Sequence, residues 1–140
     1  MQTEFRIIRR VTFAETDLAG VMHFSNYYRW MEEVEHAFLR SLGMSVVQDH
    51  GETTYSWPRV VTSCEYLAPV RFEDEIELYL SVACMTDKSI TYEIEFLHKG
   101  QRVARGRMKA VCCMMSGGQF TSASIPDFIR QKFAATAIKP

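Results

Sequence analysis

The sequence predicts a two-layer α+β domain: one long helix lies across a five-stranded antiparallel sheet, and a short helix follows near the C-terminal end. Three observations carry this. Segments with an apolar/polar period of two are joined by short turn-forming clusters, which sets successive strands antiparallel. Between Tyr27 and Leu42, apolar residues recur at spacings of three and four. The last long strand presents Ala104, Gly106 and Ala110 on one face, where a helix can approach closely.

Taken in order, residues 4–13 alternate. Phe5, Ile7, Val11 and Phe13 fall on one face, and Arg6, Ile8, Arg10 and Thr12 on the other; Arg9 interrupts the apolar side. A loop from Ala14 to about His23 follows. The helix is expected to begin within residues 24–26, with Ser25 or Asn26 as N-cap. Its stripe is Tyr27, Trp30, Met31, Val34, Ala37, Phe38 and Leu42. Glu32, Glu33 and Glu35 lie in its N-terminal half, Arg40 lies near its end, and Gly43 is a natural C′ residue. Residues 44–56 show little periodicity and read as a loop with at most a short helical turn. A strand is expected over 57–68, with Pro58 at its start and Pro69 beyond its end. Arg71, Phe72, Glu73 and Asp74 form a polar connection. Ile76, Leu78, Leu80, Val82 and Cys84 mark the next strand, 86–89 a hairpin turn, and Ile90, Tyr92, Ile94 and Phe96 another strand. Lys99-Gly100-Gln101 turns into a last long strand over 102–115, ended by Ser116-Gly117-Gly118. Pro126 opens a short helix with Ile125, Phe128, Ile129 and Phe133 at helical spacing, and the tail after Ala134 is expected to fray.

Length and composition bound the function. The 140 residues fit one domain, 1–140, and 47% hydrophobic residues supply a core. A net charge of −1, from 16 basic and 17 acidic residues, argues against broad nucleic-acid or membrane-surface binding. No apolar run approaches the ~20 residues of a membrane span. The opening MQTEFRIIRR lacks the apolar core of a secretory signal. Cys64, Cys84, Cys112 and Cys113 form no C-x-x-C pair and read as reduced thiols of a cytoplasmic protein, with neither a metal site nor a disulfide framework expected.

The most informative stretch is Phe13-Ala14-Glu15-Thr16-Asp17-Leu18-Ala19-Gly20-Val21, followed by Asn26-Tyr27 and Glu32. In combination and at these spacings, it resembles the hotdog-fold 4-hydroxybenzoyl-CoA thioesterase family and its acyl-CoA thioesterase relatives. Pro58, Val61-Thr62-Ser63-Cys64, the connection over 69–74 and Ile125-Pro126 agree more weakly. The resemblance implies a sheet wrapped around the long helix, an active site at a subunit interface, and dimers assembled into homotetramers. It assigns the catalytic carboxylate to Asp17. This chain departs from the family pattern at His23, where members usually carry Tyr or Trp, at Phe24, and at Glu35, where an Arg is frequent. These departures bear on the substrate; a fatty-acyl and an aromatic acyl group both fit.

The residues themselves point to the same chemistry. Thioester hydrolysis needs a base or nucleophile near the carbonyl carbon and donors aimed at the oxygen that gains charge. A helix N-terminus supplies unpaired N–H groups and a positive dipole end. With the family resemblance, Asp17 reads as nucleophile or general base, and the backbone N–H near Phe24 as the oxyanion donor. Taken alone, an N-cap or turn-forming Asp is the commoner reading of the same residue. His23 is a candidate to orient Asp17, bind substrate or act as a base. Gly20, Asn26, Tyr27 and Glu32 are candidates to shape or contact the substrate site. Gly20 would permit a sharp turn, Asn26 would cap the helix, and Glu32 would hold the loop by hydrogen bonding. Glu15 reads as loop structure rather than a second acid. Lys88 and Arg102, with Arg105 and Arg107, are candidate contacts to the phosphates of coenzyme A, and Tyr55, Trp57 and Tyr66 candidate acyl-pocket residues. Coenzyme A would be part of the substrate, and no separate cofactor is implied. Two other readings compete: a hotdog-fold enoyl-thioester hydratase or dehydratase, and a non-catalytic acyl-CoA-binding module.

Overall fold

The computed structural model describes residues 4–137. Nine strands and two α-helices follow the order β1 (Glu4–Arg10), α1 (Ser25–Ser41), β2 (Val47–His50), β3 (Thr53–Ser56), β4 (Arg59–Tyr66), β5 (Glu75–Met85), β6 (Ser89–His98), β7 (Gln101–Val111), β8 (Cys113–Ser116), β9 (Gln119–Ser122) and α2 (Asp127–Ala137). The main sheet has five antiparallel strands in the order β1-β5-β6-β7-β4. The single sheet expected from the sequence is incomplete, because β2-β3-β8-β9 form a second, four-stranded sheet.

The alternation in β5, β6 and β7 does what period two requires. Ile76, Leu78, Leu80 and Val82, then Ile90, Tyr92, Ile94 and Phe96, then Ala104, Met108 and Ala110 are buried on the inner face. They form one core with Tyr27, Trp30, Met31, Val34, Phe38 and Leu39 of α1. The small-residue face of β7 meets the helix: a Cβ on Gly106 would overlap the Met31 Sδ. The helix ends as its C-terminal glycine predicts. Gly43 takes φ +75, its N–H donates to Arg40 O at 2.9 Å, and Met44 N–H donates to Leu39 O at 2.9 Å. That pair of bonds satisfies carbonyls the helix would otherwise leave open.

Four expectations need correction. β1 stops at Arg10; Phe13 sits in a 3-10 turn, Phe13–Glu15, and is 78% exposed rather than on the apolar face. Residues 44–56 hold the β2–β3 hairpin, not a loop or helical turn. The last long strand is two strands, since Cys112 N–H leaves the ladder to donate to Lys88 O at 2.7 Å and the chain then pairs with β3. α2 continues helical past Ala134 to Ala137, and the remaining tail, 138–140, lies outside the described residues.

Candidate active site

Asp17 heads a tight loop between β1 and α1. Its N–H donates to Val21 O at 2.8 Å, and its carbonyl accepts from Gly20 N–H at 3.0 Å. Its Oδ1 accepts from Ala19 N–H at 2.8 Å and faces Val21 N–H at 3.4 Å. This turn requires Gly20 at φ +80, a region side-chain-bearing residues avoid. Thr16 bridges to Met22, and Met22 N–H donates to Val70 O at 2.7 Å. The loop is thereby fastened to the connection between β4 and β5.

A cleft of about 360 Å³ opens beside it, lined by Asp17, Met22, Phe24, Tyr27, Tyr66 and Leu67 among others. Its wall is mostly apolar and aromatic, with one carboxylate. Tyr27 packs edge-on against Tyr66 at 4.8 Å between ring centroids. Burial, then the neighbouring Cys64, pushes the Tyr27 hydroxyl up to about 12, so it stays protonated at neutral pH. The Tyr66 hydroxyl donates to Phe24 O at 3.2 Å, joining β4 to the helix start.

Phe24 is the N-cap of α1. Among the described residues, its N–H meets no acceptor. His23 supplies the cap that Ser25 or Asn26 was expected to give. Its Nδ1 accepts from Ser25 N–H at 3.2 Å and lies 2.8 Å from Ser25 Oγ, and its carbonyl accepts from Asn26 N–H at 3.0 Å. An accepting Nδ1 leaves the ring proton on Nε2. The exposed ring stacks on Phe24 at 4.6 Å and does not line the cleft; no contact among the described residues joins it to Asp17.

The remaining predicted residues divide. Asn26 Nδ2 donates to Glu15 O at 2.9 Å, so it ties helix to loop instead of capping. Glu32 is exposed and lies 3.6 Å from Arg59, away from the loop it was expected to hold. Arg102 lies on β7 next to Val103, whose carbonyl receives Leu67 N–H and Ala68 N–H, but its guanidinium pairs with Glu95 at 2.7 Å. Lys88 sits in the β5–β6 turn, at the opposite end of β5 from the Asp17 loop. Of the three candidate pocket aromatics, Tyr66 lines the cleft; Trp57 is in the core and Tyr55 packs on Phe128.

Two carboxylates carry more structure than the sequence reading gave them. Glu15 is a hydrogen-bonding hub between loop and helix. The Thr12-x-x-Glu15 spacing, a capping signature, was the available signal. Glu35 is 1% exposed and paired with Arg59. A charge on the helix stripe, four residues after Met31, was the signal there. Among the described residues, no helix is long and apolar enough to cross a membrane and no cluster of His, Cys, Asp and Glu could hold a metal ion.

The α+β domain places a carboxylate-bearing loop and a helix N-terminus beside one apolar cleft, an arrangement compatible with thioester hydrolysis. Residues 11–133 match the model of the thioesterase-like superfamily, and the chain belongs to that family. An Aquifex aeolicus (strain VF5) protein named as an esterase is 33% identical over 116 residues, covering 81% of this chain and 87% of its own. The 1,4-dihydroxy-2-naphthoyl-CoA hydrolase of Synechococcus sp. (strain WH7803) is 29% identical over 95% of this chain and 90% of its own. The structure of a gentisyl-coenzyme A thioesterase superposes with TM-score 0.77 at 29% identity, over 90% of this chain and 99% of that one. The chain is a thioesterase of the hotdog fold.

Proposed function

We propose that this thioesterase hydrolyses an aromatic acyl-CoA, with Asp17 as nucleophile or general base and the N-terminus of α1 as oxyanion hole. The observation that carries the reading is that Asp17 and Phe24, whose N–H meets no acceptor, line the same cleft. Asp17 either attacks the thioester carbon to give a mixed anhydride or draws a proton from an attacking water. The carbonyl oxygen gains negative charge against the Phe24 N–H and the positive end of the helix dipole. The thiolate of coenzyme A is a good leaving group, so no strong acid is required. The aromatic wall of Phe24, Tyr27 and Tyr66 and the aromatic acyl groups in the names of the two CoA-ester relatives favour an aromatic over a fatty-acyl substrate. Coenzyme A belongs to the substrate, and no cofactor is invoked.

The cleft is bordered by Tyr66 of β4, an edge strand of the main sheet. β4 and the residue after it expose Val60, Val61, Tyr66 and Leu67. A second copy covering that edge would bury them and enclose the cleft, which supports at least a dimer, with a dimer of dimers implied by the family. Arg102, paired with Glu95, and Glu32 and Lys88 all lie outside the cleft lining, so in this reading they contact a substrate only through its extended coenzyme A portion or across such an interface. Four unpaired cysteines fit a reducing, cytoplasmic setting.

The test is thiol release from benzoyl-, hydroxynaphthoyl-, octanoyl- and palmitoyl-CoA. Aromatic esters should turn over fastest, and Asp17→Asn should lower kcat by at least about 100-fold. CoA-ester binding without thiol release would return the binding-module reading. Hydration of an enoyl-CoA without release would return the hydratase.

A further inference from the structure

We infer that Glu15 is the positioning residue of this site: it clamps the Asp17 loop to the start of α1 and so sets the Asp17 carboxylate against the Phe24 N–H. The inference rests on the thioesterase reading above.

Each polar atom of Glu15 is engaged. Its N–H donates to Thr12 O at 3.1 Å. Its Oε1 accepts from Thr12 N–H at 2.9 Å and from the Thr12 hydroxyl at 3.0 Å. Its Oε2 accepts from the Trp30 indole N–H at 2.7 Å and from Arg9 at 3.1 Å. Its carbonyl accepts from His23 N–H at 2.8 Å and from Asn26 Nδ2 at 2.9 Å.

The placement of these partners is what matters. Thr12 and Arg9 belong to the chain entering the loop. His23 is where the chain leaves it, and Asn26 and Trp30 are in the first two turns of α1. Asp17 lies between the two fastened ends, and Phe24 follows directly on the second. Trp30 is fully buried, so it is a fixed point, and its indole N–H needs an acceptor there. Arg9 lies 4.7 Å over the same indole ring, locking donor and acceptor together. Burial pushes the Glu15 carboxyl up, but the Thr12 backbone, Trp30, the Thr12 hydroxyl and Arg9 outweigh it and hold it below its ordinary value. An acceptor shifted toward its ionised form suits a clamp and not a proton donor. Reaction rates fall steeply when reacting groups are misplaced by as little as ~1 Å, so slack in this clamp is read at Asp17.

Glutamine tests it sharply. Both carboxylate oxygens face only donors, so a Gln amide must turn its NH2 toward donors whichever way it flips. Asn26→Ala loosens the same clamp from the helix side without touching the buried indole. With folded protein quantified by circular dichroism, each of Glu15→Gln and Asn26→Ala is expected to lower kcat about 10- to 100-fold with KM within about threefold. The double variant should lose clearly less than the product of the two, because both slacken one joint. Wild-type turnover with kcat within twofold in both folded variants overturns the inference and leaves the thioesterase reading standing. So does a loss carried by KM alone, or strict multiplicativity in the double variant. If Glu15→Gln does not fold, Asn26→Ala decides by the same kcat-against-KM split. No thiol release by the wild type overturns the reading and the inference together.

Discussion

Glu15, beside the start of α1, and Glu35, in the middle of that helix, each meet an arginine, yet their carboxyls are shifted in opposite directions. The Glu15 side chain is 16% exposed and accepts from a backbone N–H, a hydroxyl, an indole and a guanidinium. Its carboxyl is held below the ordinary range. Glu35 is 1% exposed, with Arg59 as its one strong donor and Glu32 nearby. Burial comes first there; Arg59 opposes it, Glu32 adds to it, and the carboxyl is pushed up to about 7. The comparison teaches that an adjacent arginine does not by itself decide which way a carboxyl shifts. Donor number set against desolvation does. It also separates two uses of a carboxylate: Glu15 holds a geometry, while Glu35 satisfies the arginine that reaches into the core beside it.

The largest expected effect breaks the Glu35 side of the comparison. Glu35→Ala at pH 8 leaves Arg59, 21% exposed, without its main counter-charge. Removing one member of a buried pair costs about 3–5 kcal/mol. The lower end, about 3 kcal/mol, is expected because Glu32 remains 3.6 Å from Arg59. Replacing both members, Glu35→Met with Arg59→Met, should restore most of that stability in a urea titration. No such apolar rescue is available for Glu15, whose donors include a backbone N–H and a buried indole. A double replacement no more stable than Glu35→Ala would mean that the pair contributes more than its desolvation costs.

The pH dependence is a smaller effect that sharpens the same contrast. Glu35 binds its proton more tightly in the folded chain, at about 7, than its ordinary value of 4.5. The stability it contributes is therefore full below about 4.5 and is lost as pH rises through about 7. Glu35→Gln has no such proton to lose. Its Tm relative to wild type should rise between pH 5 and pH 8, by at least about 4 °C. Glu15 has the opposite sign: its contribution is present at neutral pH and is lost only as the medium becomes acid enough to protonate it. A Glu35→Gln profile parallel to wild type across pH 5–8 would place Glu35 with Glu15 as a carboxylate ionised throughout.

What the sequence made legible follows the same division. The main sheet was readable because β5, β6 and β7 are ten or eleven residues long and each bury every second residue over much of that length, as at 76–82, 92–96 and 104–110. The second sheet was not, because its strands have four residues each and lie mostly at the surface. Val47–His50 and Gln119–Ser122 contain too few apolar residues for a period to show. The break at Cys112 was hidden for another reason: apolar residues continue through it, and only the remote Lys88 carbonyl draws its N–H away. Asp17 stood out through the motif around it. His23 did not declare its role as a cap, which depends on its ring folding back onto Ser25. The Thr12-x-x-Glu15 spacing and the charge on the helix stripe hinted at Glu15 and Glu35, but their partners were hidden for a common reason, since Trp30 and Arg59 reach them only once the chain has folded.

Glu33→Ala makes the smallest change and asks how far the Glu15 clamp extends. Glu33 pairs with Arg9, the same arginine that binds Glu15 and covers Trp30. Its side chain is 50% exposed, so the pair sits in water, pays side-chain entropy and is screened by salt; such pairs contribute about 0.2–1 kcal/mol. Arg9 keeps the Glu15 Oε2 and the indole face without it. The expected loss is about 0.5 kcal/mol in a urea titration at low salt, shrinking at 1 M salt, with kcat unchanged. A larger loss accompanied by a fall in kcat would show that Arg9 needs Glu33 to stay over Trp30. The clamp would then run from Thr12 to the second turn of α1 and beyond, and the contrast with Glu35 would have to be redrawn as two parts of one charged network along the helix.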